Sequence, residues 1–294
     1  MSHNHQIKNK NIENIKFALF VNFFLSILEF IGGILSNSIA IISNAVHDMG
    51  DAIAFSFSYF SEKYANTENV NENYTYRLNR LPLLSALINS IILLTGSVFI
   101  LYHAIPRLFN PESPEPNIMF FVSIIGIIAN GIALMKLKRN VGINSKVLSI
   151  HTLEDFLGWI AILIGSILIK LFQISVIDSI LSILITLYIL FHVLKNMREV
   201  YRLFMQKSPE SIKRADVITF INSFGEVKNI EDLHIWSLEG TQHVLTAHIQ
   251  VSDEISVDNL KNLKIAIRNG IKKFGDIHCT LEIERESEIC DDHC

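Results

Sequence analysis

The chain is organised around Ser43-Asn44-Ala45-Val46-His47-Asp48-Met49-Gly50-Asp51, because this segment sets a histidine and a carboxylate four residues apart in a run otherwise apolar enough to span a bilayer. A carboxylate near the middle of the hydrocarbon disfavours insertion by roughly 2.5–3.5 kcal/mol, so such residues usually face a cavity or a partner. Positions i and i+4 of an α-helix lie on one face, about 5–6 Å apart. His47 and Asp51 are therefore predicted to converge on one point.

The same spacing recurs downstream in His151-Thr152-Leu153-Glu154-Asp155, again within a long apolar run. Two imidazoles and two carboxylates are groups that hold zinc tetrahedrally. If the two helices pack together, His47, Asp51, His151 and Asp155 form an intramembrane metal site. The alternative is that each is a structural residue making an interhelical hydrogen bond. The repetition of one spacing in two spans favours the metal site.

Asp48 and Glu154 each lie about 100° around the helix from a predicted ligand, so we expect each to face another side. A lining or hydrogen-bonding role is favoured over ligation for both. Asn44 and Asn130 are polar enough to line the same path, although amides in membrane helices more often bridge helices. His103 and His192 lie near span ends without a carboxylate four residues on, so we expect them to be solvated.

The composition indicates a membrane protein with a smaller polar portion. Of its 294 residues, 50% are hydrophobic and only 18% are charged, whereas soluble domains are about 25% charged. The net charge of −4 offers no basic surface for nucleic acid. Three cysteines do not make a secreted disulfide framework. The polar N-terminus lacks the cleavage site of a signal peptide, so we expect the first apolar run to be retained as a membrane helix.

Six apolar runs are long enough to cross about 30 Å of hydrocarbon. They are residues 15–35, 38–60, 81–105, 118–137, 147–172 and 174–191. The very short gaps after the first and fifth runs predict tight hairpins. If the six runs cross the membrane in turn, most lysines and arginines of the connecting segments lie on one side, and Arg107 is the main exception. Because such residues concentrate on the cytoplasmic side, both termini are predicted to be cytoplasmic.

The chain becomes polar at Ser208, which is predicted to cap a helix that has Pro209 in its first turn and runs to about Phe224. The elements expected after it are strands at 227–237 and 244–251, a helix at 257–274 and a strand at 279–284. This order predicts a cytoplasmic α+β domain, α-β-β-α-β, with one sheet face under two helices. The predicted organisation is a tail at 1–14, six transmembrane helices within 15–207, the cytoplasmic domain at 208–287 and a second tail at 288–294.

Metal-binding side chains also occur in the polar part of the chain. His234 and His248 lie on the two hairpin strands, and His278 and Glu284 lie at the last strand, so the four could converge across the sheet. The ending Cys290-Asp291-Asp292-His293-Cys294 adds two thiols that suit a borderline-soft ion. Histidines in a domain of this size can also occur by chance, but we expect a cytoplasmic metal site. Its candidate ligands are these four residues, Cys290 and Cys294, and the sequence leaves open which of them bind the ion.

Several motifs resemble the cation diffusion facilitator family, and specifically its zinc-transporting branch. The first two spans carry the likeness in Glu29-Phe30-Ile31-Gly32-Gly33, in Asn37-Ser38-Ile39-Ala40 and in the segment from His47 to Asp51. It continues through nearly the whole chain after the N-terminal tail. The later matching positions are Tyr76, Arg80, Asn89, the His151 and Asp155 pair, Asp178, Ser182 and Asp232-Leu233-His234-Ile235-Trp236-Ser237.

The resemblance implies a homodimeric secondary transporter with six membrane helices per subunit and a metallochaperone-like cytoplasmic domain. It implies that the His47 and His151 motifs form the transport site, and that His234 and His248 bind metal in the cytoplasmic domain. Zinc would be the substrate and also a candidate structural or regulatory ion. The loop between spans four and five lacks the histidine-rich insertion of many eukaryotic relatives, which favours an exporter of a prokaryotic cytoplasmic membrane.

Imidazole and carboxylate ligands must lose protons to bind a divalent cation, so metal binding releases protons and proton binding expels metal. A site opening alternately to each side would exchange protons for the ion. The pattern admits zinc, cadmium, cobalt, iron or manganese. The competing functions are an intramembrane zinc hydrolase, which would need a His-Glu-x-x-His helix that is absent, and a membrane-anchored zinc sensor, for which no basic recognition helix is present. We therefore expect a transporter and not an enzyme.

Overall fold

A computed structural model describes residues 22–65, 75–76, 79–138 and 143–288, with the side chains of 54–55, 58–65, 136–138 and 143–151 outside the description. The chain divides into two compact units, one ending at Met197 and the other beginning at Arg198. The first unit is helical and the second contains a small sheet. This division into a helical membrane part and an α+β part agrees with the fold class predicted from the sequence.

The described helices before residue 205 are α1 (Asn22–Ser36), α2 (Ile39–Ala65), α3 (Leu81–Phe109), α4 (Pro116–Lys138), α5 (Ile143–Phe172) and α6 (Val176–Phe204). Within the described residues, four segments are long and apolar enough to cross a membrane: Leu81–Phe109, Pro116–Met135, Thr152–Phe172 and Val176–Phe204. Large apolar side chains such as Phe99 and Phe121 are more than half exposed on these helices, as expected of surfaces that face lipid.

Both predicted tight hairpins are present. Only Asn37 and Ser38 separate α1 from α2, and Asn37 adopts the left-handed conformation, with φ 50°, that asparagine tolerates better than most residues. Asp178 in the first turn of α6 accepts hydrogen bonds from Ser38 Oγ at 2.5 Å and from the Ile39 backbone amide at 2.9 Å. This buried carboxylate therefore caps the start of α2 and ties it to α6.

Two glycines allow close helix packing. A Cβ on Gly126 of α4 would lie 2.3 Å from the Trp159 ring of α5, so only glycine fits at this crossing. A Cβ on Gly50 of α2 would lie 2.6 Å from Leu93 and 2.9 Å from Asn89 Oδ1 of α3. Small residues of this kind let membrane helices approach closely, and Gly50 does so beside the predicted ligand Asp51.

The second unit contains α7 (Arg214–Asn222), β1 (Val227–Ser237), β2 (His243–Val251), α8 (Val257–Ile271) and β3 (Ile277–Arg285). The element order confirms the predicted α-β-β-α-β arrangement. Strand β2 is central, antiparallel to β1 and parallel to β3. The buried side chains of one sheet face and both helices form a single core that includes Val217, Ile221, Leu245, Ile249 and Ile267. The opposite sheet face carries the polar residues of β2.

The predicted helix from Ser208 to Phe224 is wrong at both ends, since α7 spans only Arg214–Asn222. Ser208 does not cap it, because its hydroxyl donates instead to the Ile235 carbonyl oxygen of β1 at 2.9 Å. Lys213, the residue before α7, is extended and makes no side-chain cap. A tertiary contact with the sheet thus overrides the local Ser-Pro signal.

Candidate metal site

The predicted ligand pair on α2, His47 and Asp51, lies near a carboxylate of the predicted pair on α5. His47 Nε2 lies 3.5 Å from Asp51 Oδ2 on the same helix and 3.8 Å from Asp155 Oδ1 on α5. Ligands about 2.0–2.2 Å from a tetrahedral zinc ion are about 3.3–3.6 Å apart. Both separations are close to that spacing, so α2 and α5 bring His47 near one predicted carboxylate ligand from each helix. The fourth, His151, belongs to α5, and its side chain lies outside the described residues.

Asp48 belongs to the same cluster, contrary to the expectation that it faces elsewhere. One ligand atom from each of His47, Asp48 and Asp155 lies within 4.8 Å of the others. The buried face of a membrane helix is at least about 100° wide, so neighbouring residues can both reach it. Asn44, one turn earlier, donates from Nδ2 to Asp48 Oδ2 at 3.4 Å. Glu154 instead interacts with the Tyr188 phenol of α6. This agrees with the expectation that Glu154 faces away from the predicted ligands.

Asn89 of α3 supports the cluster from the other side. Its Nδ2 donates to Asp51 Oδ1 at 3.4 Å, and its own side chain is buried. A donor that holds a ligand carboxylate sets which oxygen faces the ion. The sequence offered Asn89 only as a polar residue in an apolar span that matched the family pattern.

Glu29 of α1 is a residue that the ligand spacing alone did not identify. It is 3% exposed, and its carboxyl group interacts with Asp48 and Asn44 and lies in the field of Asp155. The available signal was the same one that singled out Asp51, a lone carboxylate within an apolar span.

The other intramembrane polar residues lie elsewhere. His103 Nδ1 contacts the Phe99 carbonyl oxygen at 2.9 Å, and His192 Nδ1 contacts that of Tyr188 at 3.0 Å. Both rings are thus bonded to their own helices, as expected for histidines outside the site. Asn130 likewise donates to its own helix, at the Gly126 carbonyl oxygen, at 3.1 Å.

A second group of side chains of metal-binding type occupies the polar face of the sheet in the second unit. His248 Nδ1 lies 2.9 Å from Glu284 Oε1, and its Nε2 lies 3.6 Å from Glu282 Oε2. The Glu284 contact fixes the ring, while Nε2 is directed at Glu282, the arrangement by which a carboxylate orients a metal-binding histidine. His234 lies opposite Thr246, two residues from His248 along the hairpin, and contacts Asp232 Oδ1 at 3.1 Å.

The remaining predicted cytoplasmic ligands are not part of this group. His278 pairs with Val244, whereas His248 pairs with Glu282. The two histidines are therefore four residues, about 13 Å, apart along the strand direction. A single ion cannot bind both. Cys290 and Cys294 lie outside the described residues.

Among the described residues outside the membrane helices, the pKa values of Cys279 and Asp253 are displaced, and neither residue is part of the clusters described above. Partial burial raises the pKa of the Cys279 thiol to about 11. Hydrogen bonds from the Ser287 hydroxyl, at 2.8 Å, and the Ser287 backbone amide, at 3.1 Å, lower the pKa of Asp253.

Comparison with known proteins identifies both units. The chain matches the model of the cation efflux transmembrane domain over residues 15–205 and that of the cation efflux protein cytoplasmic domain over residues 209–286. It is 30% identical to the cadmium, cobalt and zinc/H(+)-K(+) antiporter of Bacillus subtilis, over 98% of this chain and 93% of that protein.

Two further relatives have matching names. The metal cation efflux system protein CzcD of Cupriavidus metallidurans is 28% identical over 96% of this chain and 89% of its own length. The zinc transporter ZitB of Pectobacterium atrosepticum is 28% identical over 100% of this chain and 92% of its own. These relatives are named as transporters and not as enzymes. With both domains matched across the membrane and cytoplasmic units, the chain belongs to the cation efflux family, as the motifs in its sequence had indicated.

Proposed function

We propose that this protein exports zinc in exchange for protons, with His47, Asp51, His151 and Asp155 as the transport site. The contact of His47 with carboxylates from both α2 and α5 carries this proposal. Relatives named for zinc, cadmium and cobalt transport support a divalent substrate of this class.

The chemistry of exchange follows from the donor set. Each ligand binds a divalent cation only in its deprotonated form, so protons entering from outside compete with zinc for the same atoms. His47 also borders a cavity between α2, α3 and α6 that is lined on its polar side by Ser43 and Ser97. Alternate exposure of the cluster to the two membrane faces would let a proton gradient drive the ion outward.

The test uses full-length protein in proteoliposomes with a pH gradient and a zinc-sensitive dye inside. His47→Ala and Asp155→Ala should each abolish proton-coupled zinc flux. His192→Ala is the matched control, because that ring is bonded to its own helix, and its flux should equal that of the wild type. Wild-type flux in the His47 and Asp155 variants would remove the cluster from the transport mechanism.

The organisation predicted from the sequence completes the proposal. The transmembrane domain would be residues 15–207 and the cytoplasmic domain 208–287, with a homodimer formed through the latter and both termini in the cytoplasm of a prokaryotic cell. The match to the family's cytoplasmic domain supports the dimer. Zinc at His248 and Glu282, with Glu284 orienting the ring and His234 nearby, would be a structural or regulatory ion. Sedimentation of the purified protein tests the dimer.

A further inference from the structure

We propose that Arg107, Asn37 and Glu112 close the outer end of the passage to His47, and that zinc leaves when these contacts open. The inference rests on the proposed function, because it assumes alternating access and both termini in the cytoplasm. With that orientation, the end of the first unit at which α1 joins α2 is the outer end. We refer to the three residues, which lie at this end, as the outer network.

The outer network ties the α1–α2 hairpin to the end of α3 and to the segment that follows α3. Arg107, in the last turn of α3, donates from Nη1 to the Asn37 carbonyl oxygen at 3.0 Å and from Nη2 to Asn37 Oδ1 at 2.9 Å. Its guanidinium also pairs with Glu112, whose Oε2 accepts from Asn37 Nδ2 at 3.0 Å. Each member therefore contacts the other two. Beside them, the Glu115 backbone amide donates to the Ser36 carbonyl oxygen at 2.8 Å.

A hydrophobic cluster lies between the outer network and the cavity beside the transport site. Ile39 of α2 packs with Ile100 and Ala104 of α3, and the three residues are 4%, 2% and 0% exposed. Ile100 also lines the cavity that His47 borders. The positions of Ile100, Ala104 and Arg107 have the i, i+4, i+7 spacing of one helix face. That face of α3 therefore carries, in order toward the outer end, the cavity wall, the cluster and the outer network.

An ion that left the cavity along this face could do so only if α3 separated from α2, because a cation does not cross close-packed apolar side chains. The same separation would break the hydrogen bonds from Arg107 to Asn37. These contacts can be exchanged for water at little cost, since the side chains of Arg107 and Glu112 are 19% and 53% exposed and partly exposed ion pairs contribute little to stability. The outer network therefore suits a contact that forms and breaks in each cycle.

Other contacts of the same helices are not expected to break. Asp178 of α6 is 2% exposed and accepts from Ser38 Oγ and the Ile39 amide of the hairpin. Separation there would leave a buried carboxylate without donors, which is far more costly than loss of an exposed contact. Toward the other end, α3 is joined to α6 where Asn196 donates to Ser90 at 3.2 Å. We therefore expect the outer end of α3 to move away from α2 while α2 and α6 stay joined.

The first experiment measures access to the cavity from outside, in full-length protein expressed in spheroplasts of a bacterial host. The reporter is Ser97→Cys, at a buried position of α3 that lines the cavity. It is placed in a background in which Cys279, Cys290 and Cys294 are replaced by serine. A membrane-impermeant quaternary ammonium methanethiosulfonate is added outside, and the rate of thiol modification reports how often the passage opens to that side.

Arg107→Gln should raise the modification rate of the reporter by about fivefold, the effect of losing a partly exposed ion pair. Arg107→Lys keeps the charge without the forked contact and should give an intermediate rate. The control is Lys170→Gln, which removes an exposed cation from the last turn of α5 at the same end and should leave the rate unchanged. Equal rates in Arg107→Gln and the unsubstituted reporter would overturn the proposal. If Arg107→Gln fails to fold, Glu112→Gln should raise the rate instead, and an unchanged rate there overturns the proposal equally.

The second experiment separates opening of the passage from general loosening of the structure. Asn37→Cys and Glu112→Cys are combined in the same background, without the reporter, and joined by a bifunctional methanethiosulfonate in proteoliposomes. Zinc flux should be lost on bridging and should return when a reductant cleaves the bridge, whereas each single cysteine variant should keep its flux under the same treatment. Undiminished flux in the bridged protein would show that the outer network is a fixed clamp and would overturn its role in zinc release.

Zinc flux by the wild type, measured alongside, separates this inference from the proposed function. Absence of wild-type flux would count against zinc export, whereas faster modification of the reporter in Arg107→Gln would still support the outer network as the closure of the cavity. Wild-type flux together with an unchanged modification rate would leave zinc export standing and remove the closure.

Discussion

His47 Nε2 on α2 lies 3.8 Å from Asp155 Oδ1 on α5. An ion held between these atoms would draw its ligands from two helices, so separation of α2 from α5 would dismantle the ligand set. Alternating access needs such a bistable contact, because interfaces between packed helices switch between arrangements more readily than the helices deform. This contact is therefore where ion release would be coupled to helix movement.

If His47 and Asp155 hold one ion, their contributions to zinc affinity cannot be additive. We expect His47→Ala and Asp155→Ala each to weaken zinc binding by at least about 100-fold, and the double variant to be little worse than either single one. Competition against a chromophoric chelator measures the affinities. Losses that simply add would indicate two separate sites.

Asn89 acts on zinc through Asp51, so its loss should weaken binding without abolishing it. We expect Asn89→Ala to lower zinc affinity by about 10- to 100-fold, the effect typical of residues that orient a ligand. Asn196→Ala is the control, because that amide also joins α3 to α6, through Ser90 at 3.2 Å, but does not approach Asp51. Equal effects of the two substitutions on zinc affinity would contradict the orienting role.

Gly126→Ala should destabilise the packing of α4 on α5, because the added Cβ would lie 2.3 Å from the Trp159 ring. Overpacking of this kind costs about 1–3 kcal/mol. At Gly131, five residues further along α4, the nearest atom to an added Cβ is 3.5 Å away on Phe156, so Gly131→Ala should be tolerated. Thermal unfolding in detergent compares the two; similar melting temperatures would show that α4 and α5 are not packed as described.

Of the two histidines His248 and His278, only His248 should contribute to zinc binding by the cytoplasmic domain. We expect His248→Ala to remove a zinc ion from the full-length protein while leaving partial flux, since the transport ligands are intact. His278→Ala should retain that ion, because His278 lies at another level of the sheet. Zinc content after dialysis, by mass spectrometry, decides this. Loss of zinc in both variants would mean that the two histidines share a site after all.

Burial raises the pKa of Cys279 to about 11. Only thiolate reacts with maleimides, so at pH 8 the folded protein should be labelled about 100-fold more slowly at Cys279 than a thiol with its ordinary pKa near 9. Because the pKa is higher in the folded state, the neutral thiol contributes stability at pH values below the ordinary pKa. This contribution is lost as the pH rises toward 11. Labelling is measured in a Cys290→Ser, Cys294→Ser background, and a fast rate at pH 8 would contradict the burial.

Much of the fold was predictable because it depends on local pattern. The apolar runs indicated membrane helices, and the two hairpins followed from gaps as short as Asn37-Ser38. Alternation and turn residues indicated the order of the cytoplasmic elements. The start of α7 was not predictable, since Ser208 bonds to Ile235, a residue that no local rule connects to it.

The residues with the chemistry to hold a metal ion can be read from the chain alone, because the i, i+4 spacing of His47 and Asp51 places them on one helix face whatever lies around it. The approach of Asp155 to His47, and of Glu29 to Asp48, is a result of helix packing. Those meetings depend on which faces of α1, α2 and α5 pack together, as at Gly33 of α1, where an added Cβ would lie 2.6 Å from Ile42 of α2. A single chain's periodicity describes each helix but not the partner against which it packs.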